Sequence, residues 1–197
     1  MARTREFDEA LALEKAMLLF WERGYESASL SDLLKATDLS RSSFYEAFGT
    51  KRKLLLATLA RYVNSGMCGL AEPLFRDQAS RTEIEAFVGN MIAHGVCEHG
   101  QRGCFVNNCM AELAPHDEEV LAAVRMARQG LERRLVQVIR RGQKDGSISS
   151  RESALVLARF IGSSVSGLNL VAKSRPGKAV LEDIARVTLS VLDKNSN

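Results

Sequence analysis

Apolar side chains recur along almost the whole chain at the spacing of amphipathic helices. In the first segment Leu13, Ala16, Met17 and Phe20 follow the i, i+3, i+4, i+7 order that places side chains on one helical face. Ser, Thr and Asp residues suited to N-caps precede most segments, and the three prolines fall between segments. This pattern predicts about nine helices, over approximately 8–23, 29–37, 40–48, 51–71, 80 to the loop at 100–103, 104–114, 117–145, 151–173 and 177–192.

Composition favours the same all-α fold. The chain has 197 residues and is 46% hydrophobic, and Leu and Ala outnumber the β-branched residues Val, Ile and Thr. We find no credible strand. We also find no apolar run of the roughly 18 to 20 residues that spans a bilayer, and acidic residues interrupt the N-terminal segment where a signal peptide would be apolar. We therefore expect a cytoplasmic protein that has no membrane partner and whose four cysteines are reduced.

Two short predicted helices, separated by a tight turn at Asp38 and Leu39, have the layout of a helix-turn-helix. Many ordinary helix corners share that layout, so local charge matters. The overall net charge is only +3, yet the stretch from Lys35 to Arg61 carries six basic residues against two acidic ones. This concentration of positive charge favours a DNA-binding surface over a plain solvated face.

The third predicted helix offers side chains suited to a DNA major groove. Arg41 can bridge the N7 and O6 atoms of guanine, and the hydroxyls of Ser42, Ser43 and Tyr45 can reach base edges or phosphates. Lys51 follows at a helix N-terminus, where backbone N–H groups also attract phosphate. The alternative for the run Lys51–Lys53 is an ordinary solvated helix start.

The segment from Ala16 to Leu55, AMLLFWERGYESASLSDLLKATDLSRSSFYEAFGTKRKLL, resembles the DNA-binding domain of TetR-type transcriptional regulators. The resemblance implies a three-helix helix-turn-helix domain, which we place at 1–52, and a larger helical effector-sensing and dimerisation domain at 53–197. It also implies a homodimer, most simply a repressor, that a small-molecule or thiol-modifying effector releases from a palindromic operator in double-stranded DNA.

The same resemblance assigns roles to individual residues. Tyr45 and Lys51 would hold phosphates, and Arg41, Ser42 and Ser43 would face bases. Ala28 stands where the family usually has a threonine that touches the DNA backbone, so either Ser29 takes over that contact or it is missing. The competing class is a helical-bundle enzyme or carrier, which is disfavoured because no catalytic constellation is evident and the basic surface would be unexplained.

Cys104 is the most informative residue of the second half. It precedes a predicted helix and follows Arg102, and a helix N-terminus and a nearby cation both lower a thiol pKa. The segment 103–115 also resembles the sixth helix of a TetR branch that includes electrophile- and oxidant-responsive repressors. That resemblance implies Cys104 as sensor and Lys173 as its partner. The alternative is a small buried core thiol, the role we also expect for Cys68, Cys97 and Cys109.

A third possibility is an apolar effector in a pocket lined by Phe87, Met91, Phe105 and Met110, although such a stripe is more often plain core. A metal site built on His94 and Cys97 is disfavoured because no C-x-x-C or H-x-x-x-H pair is present. We expect neither a metal nor another cofactor.

The last two predicted helices are the expected dimer surface. Small residues there permit close helix approach, so we assign Ala158, Ile161, Gly162 and Val165 to a four-helix bundle between two subunits. The alternative is that this face belongs to the core of one subunit.

Overall fold

The computed structural model describes residues 8–65 and 69–194, except the side chains of 98 and 99, and within those residues the chain is all-α. Nine α-helices occupy the described residues: α1 (Glu9–Arg23), α2 (Leu30–Thr37), α3 (Arg41–Phe48), α4 (Lys51–Asn64), α5 (Arg81–Val96), α6 (Phe105–Glu112), α7 (Glu118–Asp145), α8 (Ala154–Ala172) and α9 (Lys178–Ser190). Two short 3₁₀ turns lie at Glu72–Phe75 and Glu98–Arg102. The predicted fold class is confirmed.

The fourth helix is shorter than the sequence pattern predicts. It ends at Asn64 rather than near Ala71. The Ser65 hydroxyl donates to the Tyr62 carbonyl at 2.8 Å, and Gly69 has φ +81°, a backbone conformation that no α-helix contains. The apolar pattern continues past this break because the following 3₁₀ turn buries Leu74 in the core.

The turn between α2 and α3 has the predicted construction. Ser29 caps α2 and exchanges hydrogen bonds with Asp32, and Asp38 adopts the left-handed conformation at φ 58°. Leu39 is buried within the turn, and the Ser40 hydroxyl accepts from the Ser43 N–H at 3.1 Å to cap α3. These contacts fix the angle between α2 and α3.

Two hydrophobic clusters hold the molecule together. One joins α5, the second half of α7, α8 and α9. The other contains the buried residues of α1 to α4, and it also includes Cys104, Phe105, Val106 and Cys109 around α6 and the first turns of α7. The apolar core of the N-terminal helices therefore extends into the second half of the chain.

Helix α8 is long and apolar enough to cross a membrane, contrary to the expectation that no segment would be. Its buried residues, which include Leu157, Ile161, Val165 and Leu168, belong to the second-half cluster, and α5, α7 and α9 pack against it. One face of α8 therefore packs in the core of a helical bundle.

A bidentate ion pair joins α4 to α7. Arg52 donates from Nε and Nη2 to the two carboxylate oxygens of Asp117 at 2.6 and 2.7 Å, and its Nη1 lies 3.1 Å from Glu119 Oε1. Asp117 is also the N-cap of α7 and accepts from the backbone N–H groups of Glu119 and Val120. The Arg52 guanidinium, and after it the Val120 amide, hold the pKa of Asp117 well below its usual range.

We expect Asp117→Asn to preserve the α7 cap and to remove the charge that faces Arg52. Because the folded pKa of Asp117 lies below its unfolded value, the pair stabilises the native state fully above about pH 4, and this contribution is lost as the pH falls through the folded pKa. The variant should unfold at lower urea concentration than the wild type at pH 7, and the difference should shrink toward pH 3. Glu118→Gln removes an exposed neighbouring charge that has no ion pair among the described residues, and it should show no such trend. A difference that is constant with pH would contradict the assignment.

Candidate nucleic-acid interface and sensor helix

Helix α3 is anchored by two phenylalanines and presents its polar side to solvent. Phe44 and Phe48 are buried in the N-terminal core, four residues apart on one face. In the first turn Arg41 and Ser42 are exposed and Ser43 is half-buried, and Tyr45 is 48% exposed. All four predicted DNA-contacting residues of this helix thus reach solvent.

The serine hydroxyls at the start of α3 are linked to one another. Ser40 Oγ lies 2.9 Å from both Ser42 Oγ and Ser43 Oγ. Arg41 has no ion pair among the described residues, so its guanidinium is available to an external acceptor. The N-terminal turn of α3 therefore offers one cation and several reorientable hydroxyls.

Lys51 stands beside this surface in a defined position. It begins α4, whose first turn contains no acidic residue, and its Nζ lies 4.2 Å from the centroid of the Tyr25 ring. A cation over an aromatic face is attracted by the negative potential of the ring. The sequence pattern placed Lys51 at the helix start but could not reveal the tyrosine that supports it.

Ser29 is exposed at the start of α2, but its hydroxyl is already engaged. It donates to Asp32 Oδ2 at 2.6 Å and accepts from the Asp32 N–H. Ala28 is fully buried, so this position cannot supply a polar contact to DNA. A phosphate contact by Ser29 would have to share its hydroxyl with the cap of α2.

Cys104 lies at the N-cap of α6, as predicted, and is only 8% exposed. The Tyr62 hydroxyl donates to its sulfur at 3.7 Å. Burial raises the pKa of the Cys104 thiol, although the backbone N–H of Asn107 and the Tyr62 hydroxyl act in the opposite direction. The expectation that the helix N-terminus and Arg102 would lower this pKa is therefore wrong, because desolvation outweighs the backbone N–H groups and the cation that acts on the thiol is Arg128.

Lys173 is close to Cys104 despite the distance in sequence. Its Nζ donates to Asn108 Oδ1 at 3.1 Å, and a Cβ at Gly103 would lie 2.9 Å from its Cδ. Cys104 and Lys173 both line a cavity of about 550 Å³, together with Asn107, Met110 and Leu170 among others. The two predicted sensor residues thus share one cavity.

A larger cavity of about 890 Å³ lies between α4, α7 and α8. Its walls are mainly apolar, and the lining includes Leu59, Val63, Val106, Ala127, Leu131 and Val165. Sequence reasoning missed these residues, because a wall formed where three helices diverge has the same apolar periodicity as a closed core.

The predicted pocket residues fall elsewhere. Phe87 and Met91 are buried in the core of the second half, Phe105 is buried in the core of the N-terminal helices, and none of the three lines either cavity. Met110 lines the smaller cavity. The assignment of Phe87, Met91 and Phe105 to an effector pocket is therefore corrected: their large side chains fill the space between helices.

Comparison with known proteins places this geometry in a family. Residues 12–58 match the family model for bacterial regulatory proteins of the tetR family, and residues 81–187 match the tetracyclin repressor-like C-terminal domain. The chain is 30% identical to the uncharacterized HTH-type transcriptional regulator YezE of Bacillus subtilis, over 98% of this chain and all of that protein. It is 31% identical to the HTH-type transcriptional repressor ComR of Escherichia coli, over 95% of this chain and 90% of ComR.

The chain belongs to the TetR family.

A solved structure carries the same architecture on DNA. A cysteine mutant of the TetR-family regulator CifR, complexed with 26-bp double-strand operator DNA, superposes with a TM-score of 0.81 at 31% identity and covers 95% of this chain and 98% of CifR. This TetR-family protein is a DNA-binding transcriptional regulator, and the family consists of regulators rather than enzymes. The sequence resemblance and the expected absence of enzymatic activity are confirmed on that ground.

The predicted dimer residues of this TetR regulator need correction. Ala158, Ile161 and Val165 are buried in the core of their own subunit, which was the stated alternative, and Gly162 is half-buried. The opposite face of α8 is the exposed one. Small residues in α8 misled the assignment because they permit close packing inside a subunit as readily as between subunits.

The remaining cysteines differ in their surroundings. Cys97 is exposed at the end of α5, so its assignment to the core was wrong, whereas Cys109 is buried and burial raises its pKa to about 12. Cys68 lies outside the described residues. Within the described part of the chain, no three His, Cys, Asp or Glu side chains are grouped to hold a metal ion.

Proposed function

We propose that this regulator is a homodimeric repressor that binds a palindromic operator through α3 and leaves it when an effector occupies the second half of the chain. The observation that carries this proposal is the outer face of α3, which presents Arg41 and three hydroxyl side chains next to Lys51. The operator complex of CifR and the repressor ComR support the DNA target and the direction of regulation.

In this proposal the residues divide between base contacts and phosphate contacts. Arg41, Ser42 and Ser43 face base edges in the major groove, and Tyr45 and Lys51 hold phosphates on either side, with Ser29 as a further phosphate contact. The DNA-binding part corresponds to 1–52 and the sensing and dimerising part to 53–197. Such a protein works on chromosomal DNA, which places it in the cytoplasm.

The exposed faces of α8 and α9 form the proposed dimer surface. Val156, Phe160 and Leu170 project from α8, and Val180 and Val187 project from α9, all of them at least two-fifths exposed. In α8, Phe160 follows Val156 by four residues and Leu170 follows Phe160 by ten, and in α9 Val187 follows Val180 by seven, so each set lies as an apolar stripe along one side of its helix. Two such pairs of helices bury their stripes together as a four-helix bundle.

The effector proposed first is a small apolar molecule. The cavity of about 890 Å³ between α4, α7 and α8 has the size and apolar lining typical of ligand sites. A ligand there would favour a spacing of the two α3 helices that no longer fits two half-sites, which is a shift between conformations that already exist.

The second candidate effector is an electrophile that modifies Cys104. It is favoured by one observation, the cavity of about 550 Å³ that Cys104 shares with Lys173. A quinone in that cavity would form a bond from the Cys104 sulfur to a ring carbon, and the thiol proton would end on a ring oxygen. Lys173 would assist by stabilising the thiolate. Burial of the thiol and its raised pKa make this reaction slow.

We expect Arg41→Ala and Lys51→Ala to weaken DNA binding in different ways. Loss of Arg41 should weaken the free energy of operator binding by about 1–3 kcal/mol and relax base preference at one position in each half-site. Loss of Lys51 should weaken all sequences alike and reduce the slope of log affinity against log salt by roughly 0.9 for each phosphate contact. Affinity measured on an operator selected from a random library and on random duplex tests both, with Lys144→Ala at the far end of α7 as control. If both variants bind like the wild type, α3 is not the recognition helix.

We expect Phe160→Glu to prevent dimerisation, because it places a charge in the centre of the apolar stripe, where the partner would have to desolvate it. Sedimentation at micromolar concentration should show monomers, and operator affinity should fall at least tenfold since one half-site alone is bound. The matched control is Phe75→Glu, because Phe75 is also an exposed phenylalanine, 58% against 46% for Phe160, and belongs to the 3₁₀ turn after α4 rather than to α8 or α9. A dimeric Phe160→Glu protein would refute the proposed surface.

The two effector candidates can be separated in a Cys97→Ser background, which removes the one cysteine that is exposed among the described residues. We expect benzoquinone to add to Cys104 slowly, and operator affinity in a parallel gel shift to fall in proportion to the adduct found by mass spectrometry. Cys104→Ser in the same background is the control and should keep its affinity. Unmodified Cys104 with unchanged DNA binding would remove the thiol switch and leave the larger cavity as the effector site.

A further inference from the structure

The C-terminal end of α6 reaches the turn between α1 and α2 through one carboxylate. Glu112 Oε2 accepts from the Tyr25 N–H at 3.2 Å, and Glu112 Oε1 accepts from the Glu26 N–H at 3.0 Å. Two consecutive backbone donors are thus satisfied by the two oxygens of a single side chain, more than 80 positions away in sequence. A charged acceptor makes such hydrogen bonds stronger than a neutral one does.

The turn is shaped to admit this carboxylate. Gly24 has φ +80°, and a Cβ at Gly24 would lie 3.1 and 3.2 Å from the two carboxylate oxygens of Glu112. A glycine is therefore favoured here both by the backbone conformation and by the close approach of Glu112.

The residue held by Glu112 is also the residue that supports Lys51. The Tyr25 backbone donates to Glu112, and the Tyr25 ring lies 4.2 Å from Lys51 Nζ. The same ring packs against Phe20 of α1, at 5.9 Å between ring centroids. Glu112, Tyr25 and Lys51 thus form a continuous series of contacts from α6 to the surface proposed to face DNA.

We propose that Glu112 is a positioning residue for DNA binding: it fixes the turn at Tyr25, and through the Tyr25 ring it holds the Lys51 ammonium where a phosphate can reach it. The inference rests on the proposed function of Lys51 as a phosphate contact. It gives α6, which carries Cys104 at its other end, a direct connection to one DNA-contacting side chain.

The sign of the effect separates this role from simple electrostatics. Glu112 is an exposed negative charge near a DNA-binding surface, so its repulsion of phosphates predicts that its removal strengthens DNA binding. A positioning role predicts the opposite, because Lys51 loses its support. Neutralising Glu112 should therefore weaken binding although the protein becomes more positive.

The experiment uses the full chain and a fluorescent random-sequence duplex in a salt titration. We expect Glu112→Ala to lower affinity severalfold, to a similar degree as Lys51→Ala, and to lower the salt slope by up to about 0.9. Glu112→Gln removes the same charge but keeps one acceptor oxygen, so its affinity should be intermediate. Glu118→Ala, which removes an exposed charge at the start of α7, should bind at least as tightly as the wild type.

The double variant Glu112→Ala/Lys51→Ala decides whether the two residues act as one unit. It should bind no more weakly than Lys51→Ala alone, since Glu112 has nothing left to position. Additive losses, or a Glu112→Ala protein with wild-type affinity and slope, would overturn the proposal. If Lys51→Ala alone changes neither affinity nor slope, the phosphate role of Lys51 falls and the positioning role falls with it. Thermal unfolding of each variant shows whether a loss of binding comes from a loss of fold.

Discussion

The burial of α6 against the N-terminal helices is the interaction on which the rest of the structure depends. Phe105, Val106 and Cys109 lie in the same apolar cluster as Phe20, Trp21 and Tyr62, so the DNA-binding helices have no complete core without α6. The Trp21 ring packs edge-on against Tyr62 at 5.1 Å, and its Nε1 donates to the Gly103 carbonyl at 3.1 Å, directly before Cys104. A displacement of α6 must therefore be accommodated by α1 and α4.

Two polar contacts set the relative orientation of the helices at this apolar junction. Arg52 pairs with Asp117 at the start of α7, and Glu112 holds the turn at Tyr25. Apolar packing tolerates small rotations, whereas a bidentate ion pair and a carboxylate on two amides impose defined distances. Both polar contacts lie next to Lys51, so the orientation of the DNA-binding helices depends on where α6 and α7 stand.

The sequence predicted the fold well because helix periodicity, caps and glycines act locally. The Ser29–Asp32 exchange, the Asp38–Leu39 turn and the Asp117 cap are properties of a few adjacent residues, and the structure has all three. Prediction was poorer for contacts between residues that are far apart in the sequence. Burial reversed the expected pKa shift of Cys104, and Ala158, Ile161 and Val165 of α8 proved to face their own subunit. The boundary at residue 52 stays a prediction, since the N-terminal core continues into α6 and α7. The contacts of Tyr25 with Glu112 and Lys51 leave no periodic signal, so only coordinates could reveal them.

The two candidate effector sites adjoin one structural element. Cys104, Asn107 and Asn169 line both cavities, so the N-terminal end of α6 separates the larger apolar space from the smaller one beside Lys173. A ligand that fills the larger cavity presses on this wall from one side, and an adduct on the Cys104 sulfur enlarges the wall itself. Trp21 Nε1 donates a hydrogen bond to the Gly103 carbonyl, and Glu112 accepts one from the Tyr25 N–H, so a proposed displacement of α6 would reach the N-terminal helices at both of its ends. The proposed effectors thus share one expected route, because any movement of α6 would have to be accommodated by the DNA-binding helices packed against it.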